Sequence, residues 1–277
     1  LGDTNARNTF TAVPALPDGK VAKQVIAGST HTMILAEDGT VFACGRNAQG
    51  QLGLGDNNSR NTFTAVPALP DGKVAKEVIA GSIHTMILAE DGTVFACGYN
   101  QSGQLGLGDT NDRNTFTTVP ALPDGKVAKQ VIAGFGHTMI LAEDGTVFAC
   151  GKNHYGQLGL GDNDDRNTFT AVPALPDGKV AKQVVSGGYH TMILAEDGTV
   201  FACGSNNRGQ LGLGDTNRRN TFTAVPALPD GKVAKQVIAG SIHTIVLAED
   251  GTVFACGHNE SGQLGLGDTN ESNTFTA

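Results

Sequence analysis

The chain lacks any run of 18 consecutive apolar residues, which argues against a helical membrane span. Its first ten residues, LGDTNARNTF, show no basic segment leading into an apolar one, so no secretory signal is expected there and a cytoplasmic location is the working expectation. Cationic excess is also missing. Lys and Arg number 19 against 27 Asp and Glu, and a formal charge of -8 disfavours a partner held by phosphate neutralisation. There is no even set of cysteines. The five, Cys44, Cys97, Cys150, Cys203 and Cys256, fall once per TVFACG run, which suits buried free thiols better than disulfides. Tryptophan is absent and tyrosine occurs three times, so any place where tyrosines gather stands out.

What the chain has in abundance is itself. His31, His84, His137, His190 and His243 recur every 53 residues. The unit runs from Val21 to Lys73, and further units start at residues 74, 127, 180 and 233. The last stops at Ala277 without the closing VPALPDGK, a segment that stands instead at Val13 to Lys20. Each unit reads as four short strands. KQVIAG, HTMILAE and TVFACG are apolar or β-branched, EDGT joins the second to the third as a hairpin turn, and FTAVPAL carries a proline suited to an outer strand. About 50 residues with four strands is the size of one propeller blade.

The repeated motif HTMILAEDGTVFACGxNxxGQLGLGD resembles the repeat of the regulator-of-chromosome-condensation family across essentially the whole chain. The resemblance implies an all-β propeller of four-stranded antiparallel blades, seven in typical members and five here. It also implies recognition of macromolecules. Family members include exchange factors for the small GTPase Ran that dock on nucleosomes, and a bacterial inhibitor that grips β-lactamases with one propeller face. Ring closure needs one outer strand for the last blade. Because only the head carries all of FTAVPAL, residues 1–20 are expected to complete that blade and the tail after Leu266 to be displaced. A monomer is expected, with exchange of ends between chains as the alternative.

The copies disagree at a few fixed slots. Before the repeated histidine a pair varies, Ser29-Thr30, Ser82-Ile83, Phe135-Gly136, Gly188-Tyr189 and Ser241-Ile242, and from it Thr30, Ile83, Phe135, Tyr189 and Ile242 are taken as candidates. After TVFACG the slot holds Arg46, Tyr99, Lys152, Ser205 or His258. Two residues further on stand Ala48 and Gln49, Gln101 and Ser102, His154 and Tyr155, Asn207 and Arg208, or Glu260 and Ser261. These form the candidate binding set. A third variable stretch follows LGLGD. Up-and-down strand alternation brings all three clusters to one end of the blades and the unchanged EDGT and PDGK turns to the other. All three tyrosines, and Phe135 as the one phenylalanine outside the repeated framework, occupy variable slots. Tyr, Arg and Asn among small residues is the composition of adaptable binding surfaces.

Catalytic chemistry finds little support. GQLGLGD does not match a dinucleotide or P-loop pattern, DNDD at 162–165 lacks the glycine and terminal glutamate of a calcium loop, and each repeated histidine stands without a second ligand at metal spacing. The reading is a non-enzymatic scaffold with no cofactor or metal that binds a protein through one variable face. The alternatives are an exchange factor for a Ran-like GTPase and, given the near-identity of the copies, a consensus-designed scaffold with no native partner.

Overall fold

The protein, described here by a computed structural model covering residues 2–277, folds as five four-stranded antiparallel sheets. Blade 1 comprises β1 (Ala22–Ala27), β2 (His31–Ala36), β3 (Val41–Gly45) and β4 (Arg60–Ala65), hydrogen-bonded in chain order. Blades 2 to 4 repeat it as β5–β8 (Ala75–Ala80, His84–Ala89, Val94–Gly98, Arg113–Thr118), β9–β12 (Ala128–Ala133, His137–Ala142, Val147–Gly151, Arg166–Ala171) and β13–β16 (Ala181–Ser186, His190–Ala195, Val200–Gly204, Arg219–Ala224). Blade 5 is β17 (Ala234–Ala239), β18 (His243–Ala248), β19 (Val253–Gly257) and β20 (Ser272–Thr276). Among the described residues no helix is long and apolar enough to cross a membrane.

HTMILA is a continuous apolar run because both sides of β6, β10 and β14 are covered by neighbouring blades; every residue of these strands is buried. The core is therefore a series of layers between blades. Leu52 of blade 1, for example, packs with Val78, Phe95 and Phe116 of blade 2. Gly53 explains the glycines of GQLGLGD. At φ +67° a Cβ there would lie 2.4 Å from the Phe116 ring, so the next blade can press its phenylalanine onto this backbone only if the residue is glycine.

A polar relay runs through each layer. Thr85 Oγ1 donates to the Gln51 carbonyl at 2.7 Å, so the 2.9 Å contact between His31 and Thr85 must be His31 Nε2–H donating to Thr85 Oγ1. The same His–Thr–Gln arrangement links His84 to Thr138, His137 to Thr191 and His190 to Thr244. The imidazoles are thus neutral joints between blades. The buried Cys97, Cys150, Cys203 and Cys256 thiols point at the same glutamine carbonyls, and burial pushes them up.

Four such junctions are made, and the fifth is not. Among the described residues no hydrogen bond joins blade 5 to blade 1. Val25 is 62% exposed where its counterpart Val78 is 1%, and Ile238 is 51% exposed where Ile79 is 9%. Closure of the last blade by the N-terminal strand is likewise corrected. β20, from the tail, pairs with β19, and Phe275 is buried beside Gly212 of blade 4. Residues 2–16 form no strand; Leu16 packs on Ile34 and Phe42 of blade 1, and Gly2 bonds Asn61 there. The tail wins because it follows β19 directly in the chain, through the same loop that every blade uses, and blade 4 offers it a seat, whereas the head would have to cross the unformed junction.

The register sets the ends of each blade. Ala27 pairs with Thr32, His31 with Gly45 and Gly45 with Arg60 at one end, while Ala22 pairs with Ala36, Leu35 with Val41 and Phe42 with Ala65 at the other.

Two outcomes follow from these layers. Burial pushes His84, His137 and His190 down to about 3 and His31 to about 4, against 6.5 in the open chain. Below pH 6.5 the unfolded chain takes up protons that the folded one refuses. Stability is therefore full above that pH and falls as pH drops toward 4, by about 1.4 kcal/mol per histidine per pH unit. Urea midpoints measured from pH 7 to 5 should fall accordingly, with the slope lowered by about one proton in His137→Gln. Phe169→Ala should cost about 3–5 kcal/mol in the same assay, whereas Phe10→Ala, at the same repeat position in the exposed head, should leave the midpoint unchanged.

Candidate binding face

The variable residues stand on a loop that is itself rigid. In blade 1 the buried Asn47 holds both sides of it, donating through Nδ2 to the Asp56 carbonyl at 2.8 Å and accepting from the Leu52 N–H at 2.9 Å. Gln51 Oε1 accepts the Gln49 N–H, and Asp56 pairs with Arg60 at 2.6 Å. Gly45, at φ +105°, opens the loop where a Cβ would strike the Thr30 carbonyl 2.5 Å away. These residues, copied in every blade except that Ser272 stands in the arginine's place in the last, fix the loop backbone, so side chains at positions 46, 48 and 49 can change without altering the support. The first variable pair joins the same end, since the Arg46 N–H donates to the Thr30 carbonyl.

The expected site residues do not all meet. Blades 3 to 5 bring one group together. Phe135 and Tyr189 pack edge to face with ring centroids 5.4 Å apart, Tyr155 lies 5.3 Å from Tyr189, and the Lys152 ammonium sits 5.5 Å from the Tyr189 ring centre. Phe135 and Tyr155 remain 37% and 39% exposed, so the cluster offers apolar surface to a partner. Beside it opens a cavity of about 630 Å³ lined by Tyr155, Tyr189, Ile242, Ser205, Asn207 and Arg218. A second group spans blades 4 and 5. Arg208 pairs with Glu271 at 2.6 Å and Glu260 at 3.3 Å, and His258 Nε2 lies 3.5 Å from Glu260. His258, Glu260 and Glu271 are close enough to share a cation, but Arg208 already supplies the positive charge between the two glutamates.

The remaining expected residues stay local. Tyr99 donates to Gln101 within its own loop at 3.1 Å. Arg46 and Ala48 are exposed on blade 1, Thr30 stands beside them, Gln49 is partly covered, and Ile83 and Ser102 are half-buried on blade 2. His154 is exposed 3.6 Å from Asp165, and Ser261 caps Gln263 through its backbone N–H. Arg218 and Glu271 belong to the site although the candidate set omitted them. Their slot carries the signal. In blades 1 to 3 it holds Ser59, Asp112 and Asp165, each accepting the N–H of the loop asparagine. In blades 4 and 5 Arg218 and Glu271 make no such cap, and the side-chain Nδ2 of Asn206 and Asn259 donates additionally to the Asn217 and Asn270 carbonyls.

With this geometry in view, comparison with known proteins is decisive about kinship. A family model described as the RCC1-like domain matches residues 1–277. The chain belongs to the RCC1-like family. It is 34% identical over 275 residues to the ultraviolet-B receptor UVR8 of Arabidopsis thaliana, covering 99% of this chain and 61% of that one. It is 33% identical to the human X-linked retinitis pigmentosa GTPase regulator, covering 90% of this chain and 29% of the relative, so it spans only part of these curated proteins. Among solved structures, human WBSCR16 superposes with a TM-score of 0.82 at 24% identity, covering 92% of this chain and 66% of the other. Yeast RCC1 (Prp20), solved with Kap60 bound, gives 0.58 at 20% identity over 91% and 73% of the two chains. These likenesses establish the RCC1-repeat propeller fold.

Because the aromatic cluster is seated on a loop framework that holds itself, Tyr189→Ala should change folding stability by less than about 1 kcal/mol. It should nevertheless shift the ring resonances of Phe135 and Tyr155 in an NMR spectrum. A loss several times larger would mean that the cluster supports the blades.

Proposed function

We propose that this RCC1-like propeller is a non-enzymatic binding module that recognises a protein through its variable loop end, with the cluster of Phe135, Lys152, Tyr155 and Tyr189 as the anchor. One observation carries the reading: copies that are otherwise nearly identical differ where their loops come together, and three of the differing residues are aromatic and mutually packed. Aromatic anchors ringed by Arg, Asn and Ser are the composition that concentrates binding energy in protein interfaces. At the four junctions the repeated histidines, threonines and cysteines are engaged in holding blades together rather than free for chemistry. Relatives whose solved forms include yeast RCC1 bound to Kap60 support a protein as the class of partner.

The test resets the anchor to the residues that blade 1 carries in the same slots: Phe135→Ser, Lys152→Arg, Tyr155→Gln and Tyr189→Thr. The framework already accepts these residues, so the fold should persist. Affinity for proteins captured by the unaltered chain should fall at least about tenfold. Unchanged affinity would overturn the anchor. Acceleration of nucleotide release from a Ran-type GTPase by the unaltered chain would overturn the reading as a simple binding module.

A further inference from the structure

The variable slots also pair across neighbouring blades, and one such pair is left open. Arg208 of blade 4 reaches Glu271 of blade 5, 63 residues later, at 2.6 Å. At the preceding junction the same two slots hold Tyr155 of blade 3 and Arg218 of blade 4. Arginine therefore stands where the next blade has the answering glutamate, and no arginine-carboxylate pair can close there. Tyr155 and Arg218 both line the cavity of about 630 Å³. The cavity is thus bordered by a cation at a place where, one junction on, the protein supplies its own anion.

Arg218 has no counter-charge. Its Nη1 donates to the His154 backbone carbonyl at 3.3 Å, which engages one of the five guanidinium N–H donors. Among the described residues every arginine except Arg46 and Arg218 pairs with a carboxylate. Asp165, on the neighbouring loop, is turned to the Asn153 N–H and to His154. Lys152 is a second cation of this kind, held over the Tyr189 ring without an acidic partner. Two uncompensated cations therefore flank one aromatic cluster, in a chain whose formal charge is -8. Arg46, the remaining unpaired arginine, stands apart on blade 1.

We infer that the occupant of this cavity is an acidic segment of the protein partner, an Asp or Glu side chain meeting Arg218 while an apolar neighbour packs on Tyr155 and Tyr189. The inference rests on the variable end being a protein-binding face and adds the chemistry of what is bound. Charge selects the occupant. A carboxylate matches the fork of the guanidinium and supplies the answer that Glu271 gives to Arg208. A basic segment would bring like charge to Lys152 and Arg218, and an uncharged one would cover the guanidinium without pairing it, which is costly. Ser205, Asn207 and Asn217 around the same cavity offer hydroxyl and amide groups to the segment's backbone.

The test is a selection of random heptapeptides displayed on phage. The unaltered chain is the bait, and the chain with blade 1 residues in the four anchor slots removes background. Enriched peptides should carry Asp or Glu beside an apolar residue. For a synthetic peptide of that sequence, Kd should rise at least about tenfold in Arg218→Glu and less than about twofold in Lys182→Glu. Lys182→Glu makes a change from cation to anion at the opposite end of blade 4, on an exposed residue. Arg218→Glu should fold as before, because blade 5 carries Glu271 in that slot. Changing the peptide's acid to its amide should weaken binding to a similar degree. Enrichment of basic or uncharged peptides would overturn the inference and leave the aromatic anchor standing, as would an acidic peptide indifferent to Arg218→Glu. If no peptide were enriched by the unaltered chain over the reset one, the reading of this end as a protein-binding face would fall as well.

Discussion

Everything in this molecule depends on the contact between one blade and the next. A single blade has two apolar sides and no interior of its own. Burial comes from pressing the Val, Ile and Met side chains of neighbouring sheets together, with Phe116 and its counterparts seated on a glycine of the preceding loop. The His–Thr–Gln relay threads this apolar layer and constrains its geometry. A buried hydroxyl and a buried imidazole are costly unless paired, so the layer is well satisfied only when the two blades stand in one register. The relay is also the reason that the histidines are repeated. Four of the five, His31, His84, His137 and His190, are neutral joints, and in each the unpaired Nδ1 lies against the glycine three residues earlier.

The same contact explains what is free to vary. Residues that form the layer, or that hold the loops leading into it, are copied in every blade: the glycines, Asn47, Gln51 and their equivalents. Residues on the outer side of those loops bear no such duty. Their divergence produces different local chemistry around one end of the propeller. Aromatic packing occupies blades 3 and 4, an ionic network occupies blades 4 and 5, and smaller polar contacts remain on blades 1 and 2. The surface is therefore lopsided although its support is nearly symmetric. That lopsidedness is the feature on which the proposed recognition of a protein partner rests.

Much of the fold was legible in the residues. The 53-residue period, the Asp-Gly hairpin and the apolar runs are local signals, and four strands per unit follow from them. Placement of the variable loops at one end was also legible, since strand alternation requires it. The grouping within that end was not. Phe135 precedes Tyr189 by 54 positions, and their contact depends on blades 3 and 4 being neighbours at a given angle. Arg218 and Glu271 were passed over for a related reason. Their slot caps the loop in three blades, and only the structure reveals that an arginine or a glutamate there turns outward.

By itself the sequence determined what each blade is: its strands, its turns, its buried thiols and its family, because these follow from patterns repeated within a few dozen residues. The tertiary structure decided how the blades end. Head and tail carry the same twelve-residue stretch apart from a few substitutions, so local propensity cannot choose between them. The tail forms β20 because its loop holds it beside β19 and blade 4 receives Phe275, whereas the head lies on blade 1 across a junction that never forms. Which of two near-identical segments becomes a strand is a question of tethering and of an available neighbour, and both are properties of the assembled arc.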